Sequence, residues 1–321
     1  MTAERLIIGS RGSELALWQS NLIKSKLSEF FPTLDIELRI VKTLGDKILD
    51  APLSRIGDKG LFTKEIDHAL LGRSIDIAVH SAKDVPTVLP AGLAIGAVTE
   101  REDVRDVFIA HPGSNYRRFA DLPHHAKIAT GSLRRKCQLL HKRPDLEVID
   151  VRGNLNTRLK KLAASDCDGM VLARTGVKRL GWEERITEVL PVEIMLPAVG
   201  QGALAVVLRE NDSRVCEMMQ KVHHEETTIV VRGERAFLRF LEGGCQVAIG
   251  TYGKIEGGTF RLDALIGSLD GRQIVKGHIE GSPTESEGLG IQLAKQLLER
   301  GGREILAEIR GSQPAAKLSH V

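Results

Sequence analysis

The sequence predicts an α/β protein of two hinged lobes, closed by a smaller α+β domain at the C-terminus. Three observations carry that prediction. Strand and helix patterns alternate from Leu6 to Pro86. The alternation restarts beyond the charged stretch Thr99 to Asp106. From about Glu225 it gives way to one helix, several strands and an amphipathic closing segment. At 321 residues the chain exceeds one comfortable core, so two or three domains are expected. The boundaries predicted are 1–99 with 203–220, 105–196, and 225–321.

Each element has its own warrant. Leu6-Ile7-Ile8-Gly9 reads as a short buried strand, and Ser10-Arg11-Gly12-Ser13 turns into a helix with Leu15, Trp18, Leu22, Ile23, Leu27 and Phe30 at helical spacing. Ile36 to Val41 is a second strand. Thr43 to Gly60, with three glycines and a proline, is loop-like, and a helix follows from about Thr63 to Leu71. Ile75 to Val79 is a third strand, closed by His80-Ser81-Ala82-Lys83-Asp84-Val85-Pro86. In the second lobe, strands at Lys127 to Ala129, Glu147 to Val151 and Met170 to Leu172 alternate with helices after Ser132 and Asn154. Leu196 to Ala203 reads as a return crossing into a strand from Leu204 to Leu208, so two crossings join the lobes around a cleft. In the last unit a helix runs from Glu225 to Leu241, Asp270-Gly271 marks a hairpin, and Ile291 to Ile309 is amphipathic.

Composition narrows the class. Hydrophobic residues make up 42% and charged residues 27%, as in an ordinary globular protein, and a net charge of +3 does not by itself call for nucleic acid. Aromatic residues are only 4%, too few for a base-stacking surface. The four cysteines, 137, 167, 216 and 245, have no CxxC spacing, which argues against a disulfide framework or a zinc knuckle. No run of about 18 apolar residues exists, and Met1 to Arg5 lacks the start of a signal peptide. A reducing, cytoplasmic location and no membrane are therefore expected. The adjacent pairs His124-His125 and His223-His224 point in divergent directions on any regular element, so no metal site is expected. Trp18, on an apolar helical face, reads as core.

Ligands of open α/β sheets bind where strands end and helices begin. Four such turns here combine small or hydroxyl residues with cations: Ser10 to Ser13, His80 to Asp84, Thr130 to Arg135, and Arg152 to Asn154 with Arg158 one helical turn on. Guanidinium forks beside helix starts suit carboxylates or phosphates, although any single turn taken alone reads better as a capped helix with a solvated arginine; four turns on one edge make coincidence harder to sustain. Asp84 is a carboxylate among these cations. It is either a structural partner for Lys83 or an arginine, or a group that stabilises a cation and shuttles protons. Cys245, in Leu241-Glu242-Gly243-Gly244-Cys245-Gln246-Val247, follows two glycines that leave its sulfur uncrowded. A lone cysteine is more commonly an inert buried thiol, so that segment alone leaves both readings open.

Taken together, His80 to Pro86, Ser132 to Arg135, Arg152-Gly153-Asn154, Leu196 to Leu204 and Leu241 to Cys245 resemble the porphobilinogen deaminase (hydroxymethylbilane synthase) family, in the expected order, over about Ile7 to Ile309. The resemblance implies two periplasmic-binding-protein-like lobes and a third domain whose cysteine, matching Cys245, carries a dipyrromethane cofactor through a thioether. It implies that four porphobilinogen molecules are joined head to tail with loss of four ammonia, and that hydrolysis frees hydroxymethylbilane. Asp84 matches the catalytic aspartate, and the adjacent Lys83 is placed with it as catalytic. Lys83, Thr130, Ser132, Arg134, Arg135 and Arg158 match cofactor-binding positions, and Arg11, Ser13, Gln19, Arg152 and Arg179 match positions serving substrate or the growing chain. The Thr43 to Gly60 loop, with Asp46, Lys59 and the nearby Phe62, matches a mobile flap. A monomer is expected.

The chemistry agrees with the residues. Each pyrrole unit carries an acetate and a propionate, and a shielded charge-assisted hydrogen bond to such a carboxylate contributes about 1.5–3 kcal/mol. Loss of ammonia leaves an azafulvenium cation. A carboxylate roughly 4 Å away, at an effective dielectric of about 20, stabilises it by about 4 kcal/mol. The chain departs from the family's usual pattern at Gly131 (commonly serine), Arg174 (often small) and Ala248 (frequently proline, so that a looser loop is expected). Two other readings share parts of the pattern. A two-lobed binding protein for a small polyanion needs neither Cys245 nor Asp84, and a nucleic-acid module is opposed by the near balance of charges.

Overall fold

A computed structural model describes residues 5–47, 63–242 and 247–311, with backbone only for the two residues 46–47. Two five-stranded sheets and one three-stranded sheet organise them. The first sheet holds β1 (Arg5–Ser10), β2 (Asp35–Ile40), β3 (Ile77–Ser81), β4 (Leu93–Val98) and the late strand β10 (Leu204–Arg209), in the order β2-β1-β3-β10-β4. The second holds β5 (Asp106–Ala110), β6 (Lys127–Ala129), β7 (Glu147–Ile149), β8 (Gly169–Ala173) and β9 (Glu188–Val189), in the order β7-β6-β8-β5-β9. The two orders are the same pattern. In each sheet three strands run parallel and one inserted strand, β10 or β5, runs antiparallel to its neighbour β3 or β8. The chain leaves the first sheet after β4, enters the second through β5, and returns through β10.

Local chemistry places the helices. The Ser13 hydroxyl accepts from the Ala16 N–H at 3.3 Å and starts α1 (Glu14–Phe30). Thr63 precedes α3 (Lys64–Leu71), but its side chain makes no cap bond. In the second lobe α4 (Leu133–Lys142) follows Ser132, α5 (Leu155–Ala163) starts at Asn154, whose side chain accepts from the Thr157 N–H at 2.9 Å, and α6 (Arg174–Arg179) follows β8. Apolar side chains cover both faces of each sheet. Ile8, Ile77, Val79 and Val206 pack on one face of the first, and Ala78, Ala205 and Val207 with Ile66 and Leu70 of α3 pack on the other. Each of the valine, leucine and isoleucine side chains contributes about 1.5–3 kcal/mol when fully buried.

The C-terminal unit joins α8 (Glu225–Phe240), which follows the short α7 (Ser213–Met219), to β11 (Ala248–Glu256), β12 (Thr259–Gly267) and β13 (Ile274–Gly281), then α9 (Ser286–Leu297) and α10 (Arg303–Gly311). The predicted hairpin is present, with Gly271 at φ 73° in its turn. That turn seats on α4: the His141 Nδ1–H donates to the Gly271 carbonyl at 3.0 Å, and a Cβ at Gly271 would lie 2.6 Å from the Cys137 carbonyl oxygen.

Three expectations change. The amphipathic closing segment is not one helix, because Gly301 takes φ 106° and breaks it between α9 and α10. Leu44–Lys47, read as loop, forms one helical turn, α2. β4 and β5 were not foreseen as strands at all. Leu93–Val98 offers no alternation, being covered on both faces, and Asp106–Ala110 was masked by the charged stretch that it ends. Among the described residues no helix is long and apolar enough to cross a membrane, and no group of histidine, cysteine and acidic residues is arranged to hold a metal.

Candidate functional site

The four cation-bearing turns lie at strand ends, as the pattern predicted. Arg11 leaves β1, and Gln19, buried on α1, donates from Nε2 to the Ser81 hydroxyl at 2.9 Å, linking the first turn to the second. Beyond Ser81 the chain makes a 3₁₀ turn, Ala82–Asp84, which brings Asp84 to the surface and leaves Lys83 half-buried. Asp84 has no hydrogen bond or ion pair among the described residues. It lies within the electrostatic reach of Lys83, His80 and Arg158, each of whose protonated forms it stabilises. Among the described residues the structural ion pair that sequence left open for Asp84 is not formed.

The second lobe answers with guanidinium groups. Arg134 and Arg135, on the first turn of α4, both turn inward onto Asp106, at 2.8 and 2.9 Å. Burial pushes the Asp106 carboxyl upward, and the two arginines reverse that and hold it below the usual carboxylate range. The Nε–H groups of Arg134 and Arg135 are buried with no acceptor among the described residues. Arg158 donates from Nε to the Gly153 carbonyl at 2.8 Å, and burial followed by the charges of Arg135 and Arg152 draws it down to about 10. Arg152 lies 3.9 Å from Asp150. The Lys83 amine is drawn down to about 8, first by burial, with Asp84 and Asp106 opposing and Arg135 and Arg134 adding. These mutual effects put Lys83 and Asp84 of one lobe in the same field as Arg134, Arg135 and Arg158 of the other.

The remaining candidates divide. Thr130 is buried and its hydroxyl accepts from the Ser132 N–H at 3.3 Å, while the Ser132 side chain does not cap α4. Arg179 is buried and donates from Nε and Nη2 to one oxygen of Glu102, Oε1, at 2.8 and 2.6 Å, with its guanidinium 5.6 Å from the Trp18 ring centre. Trp18 is thus a half-buried platform between lobes, not the core residue expected. Cys245, Lys59, Phe62 and the side chain of Asp46 lie outside the described residues. Glu242, the last described residue before Cys245, takes φ 50°, a left-handed position. The helix before it is tied to the Asp84 turn, since Arg235 donates to the Val85 and Pro86 carbonyls at 3.0 and 2.6 Å. Cys137 is no rival nucleophile: burial pushes its thiol up to about 12.

The departures also find their settings. A Cβ at Gly131 would lie 2.8 Å from the Val151 carbonyl oxygen and 3.0 Å from Asp150 Oδ1, so this chain has no room there for serine. Arg174 pairs with Asp103 on the first crossing. Ala248 already pairs with Gly267 in the sheet, so the position itself is not loosened.

Sequence reasoning assigned no role to Asp106, Gln201, Glu234, Arg101 or Glu102. A carboxylate that opens an apolar run, as Asp106 does before Val107-Phe108-Ile109, requires a buried partner, and that signal was there to use.

Residues 6–217 match the family model described as porphobilinogen deaminase, dipyromethane cofactor binding domain, and residues 228–299 match porphobilinogen deaminase, C-terminal domain. A porphobilinogen deaminase of Chlorobium luteolum is 51% identical over 313 residues, covering 96% of this chain and 99% of its own. That of Carboxydothermus hydrogenoformans is 50% identical over 307 residues, covering 96% and 98%. Among solved structures, the periplasmic aliphatic sulphonate binding protein SsuA of Escherichia coli aligns over 74% of this chain and 70% of its own at 15% identity, with a TM-score of 0.41.

Proposed function

Because this chain belongs to the porphobilinogen deaminase family, we propose that it joins four porphobilinogen molecules head to tail on a dipyrromethane held by Cys245, releasing four ammonia and, with one water, hydroxymethylbilane. The observation that carries this reading is Asp84: an exposed carboxylate without a hydrogen bond or ion pair among the described residues, within the electrostatic reach of the half-buried Lys83 and of Arg158.

The residues suit such a group. A dipyrromethane brings four carboxylates, and the buried Nε–H donors of Arg134 and Arg135 lack acceptors among the described residues. With Lys83 and Arg158 they make a cationic surround in which one carboxylate, Asp106, offsets part of the charge. When bound, the cofactor supplies a nucleophilic pyrrole carbon.

Asp84 acts on the substrate. The bond between the aminomethyl carbon and its protonated nitrogen breaks, nitrogen leaves with the electron pair as ammonia, and Asp84 stabilises the azafulvenium cation left behind. The proton displaced when the new carbon–carbon bond forms passes to Asp84 or to water. Lys83, with its amine near 8, is positioned to hold a carboxylate or to deliver a proton near neutral pH. Arg11, Ser13, Gln19, Arg152 and Arg179 serve the substrate and the lengthening chain, and the 43–60 segment serves as flap. The domain division is 1–99 with 203–220, 105–196 and 225–321, and the enzyme works as a cytoplasmic monomer without nucleic acid.

The intact mass of denatured protein, made in cells that produce porphobilinogen, tests the reading. A gain equal to two linked pyrrole units, absent in Cys245→Ser, is expected. An active preparation with the unmodified mass would sink it.

A further inference from the structure

Asp106 is fully buried at the start of β5, and no step above uses it. Both of its oxygens are engaged. Oδ2 accepts from Arg134 Nη1 at 2.8 Å, while Oδ1 accepts from Arg135 Nη2 at 2.9 Å and from Gln201 Nε2 at 2.8 Å. Gln201 Nε2 also donates to the Val104 carbonyl at 2.7 Å. Two acceptors on the nitrogen side decide the orientation of the amide, so its oxygen must face the other way. There Lys83 Nζ donates to it at 3.3 Å. A continuous line of contacts thus runs from the arginine helix, through the first strand of the second lobe and the return crossing, to the turn that ends at Asp84.

We propose that Asp106 and Gln201 are positioning residues for the reaction, which aim the Lys83 ammonium between the arginine pair and Asp84 without touching substrate themselves. A lysine stem gives up much of its rotamer freedom when it is held in one place. A neutral amide oxygen holds it without cancelling its charge, so the lysine stays available to a carboxylate ligand. Asp106 stands one contact further back, where it offsets the repulsion between Arg134 and Arg135 and still leaves the cluster cationic. The charged groups facing Lys83 are Asp84 from its own turn, Asp106 from β5, and Arg134 and Arg135 from α4. This inference rests on the reading of Lys83 as a working cation given above.

The test follows porphobilinogen consumption by cofactor-loaded enzyme against pH for wild type, Gln201→Glu and Gln201→Leu. In parallel, acetic anhydride labelling of Lys83, read by peptide mass at each pH, titrates the amine directly. Glutamate at 201 puts a carboxylate against the ammonium and should raise the Lys83 ionisation by roughly 1–3 pH units, the effect of an opposite charge within ~4–6 Å. Leucine removes the acceptor and should lower it. Opposite displacements of the labelling curve, mirrored in the basic limb of turnover, support the positioning role. Unmoved labelling curves, even with turnover lost, overturn it, because a merely structural defect would not displace them in opposite directions. Should Gln201→Glu fail to fold, Asp106→Asn takes its place and should lower the Lys83 ionisation by removing an opposing charge. A wild-type protein that leaves porphobilinogen untouched refutes the functional reading alone, since the labelling curves still decide the positioning.

Discussion

Arg101 and Glu234 form a buried bidentate ion pair, at 2.8 and 3.1 Å, that joins the first crossing segment to the helix α8 of the C-terminal unit. Glu234 is fully buried and also accepts the backbone N–H groups of Gly200 and Gly253, each at 2.7 Å. One carboxylate therefore touches both crossings and the third sheet. Replacing one partner strands the other charge in the interior, so Glu234→Leu or Arg101→Leu should each lower stability by about 3–5 kcal/mol. Denaturant unfolding checks this, and the double variant should cost clearly less than the sum of the singles.

Asp84→Asn should fold normally and keep its cofactor mass, because nothing among the described residues depends on that carboxylate for a hydrogen bond. Turnover should fall on the order of a thousandfold, the rate equivalent of the electrostatic stabilisation of about 4 kcal/mol. Steady-state kinetics beside a thermal melt would separate the two effects. Near-normal turnover would remove Asp84 from the mechanism.

Acid should weaken the molecule through His80. Its imidazole is buried and held down to about 4, first by burial and then by the Arg11 charge, with Asp84 opposing. Between pH 6.5 and 4 the unfolded chain binds a proton at this histidine that the folded chain refuses. Stability is thus complete above about 6.5 and declines as pH falls toward 4, by on the order of 3 kcal/mol over that window. Melting curves of wild type and His80→Gln across this range should show a shallower acid decline in the variant. Parallel curves would mean that other groups set the slope.

Gly131→Ala should destabilise by roughly 1–3 kcal/mol, since the added carbon meets the Val151 carbonyl oxygen and this backbone must move to admit it. Shifting Val151 also shifts Arg152 beside it, so porphobilinogen KM should rise along with the loss of stability. A variant with unchanged melting temperature and KM would show that the turn accommodates the methyl group freely.

What the sequence disclosed was local. Ser13 and Asn154 announce their helices because a cap and the amide it serves lie three residues apart. The turn at His80 to Asp84 was legible because its cations and carboxylate are neighbours in the chain. Asp106 was not, for its partners are Arg134, 28 residues on, and Gln201, 95 residues on. Nor was Glu234, whose arginine lies 133 residues away. A buried ion pair closed by folding leaves no periodicity along the chain, only a charge where an apolar residue would be expected. The cleft's two walls could thus be assigned from turns, while the interior contacts that hold them in register could not.

Gly271, resting against the backbone of α4, has a mechanical consequence. A joint of main chain on main chain, with 2.6 Å between an added Cβ and the Cys137 carbonyl oxygen or the His141 nitrogen, has almost no slack. By its place in the chain α4 belongs to the second lobe, yet its Arg134 and Arg135 are gauged from the hairpin of the C-terminal unit. Ionic strength, which screens exposed charges beyond about 10 Å at 0.1 M, has no purchase on that gauge. The seat of the guanidinium pair against the C-terminal sheet is accordingly a built dimension of the protein.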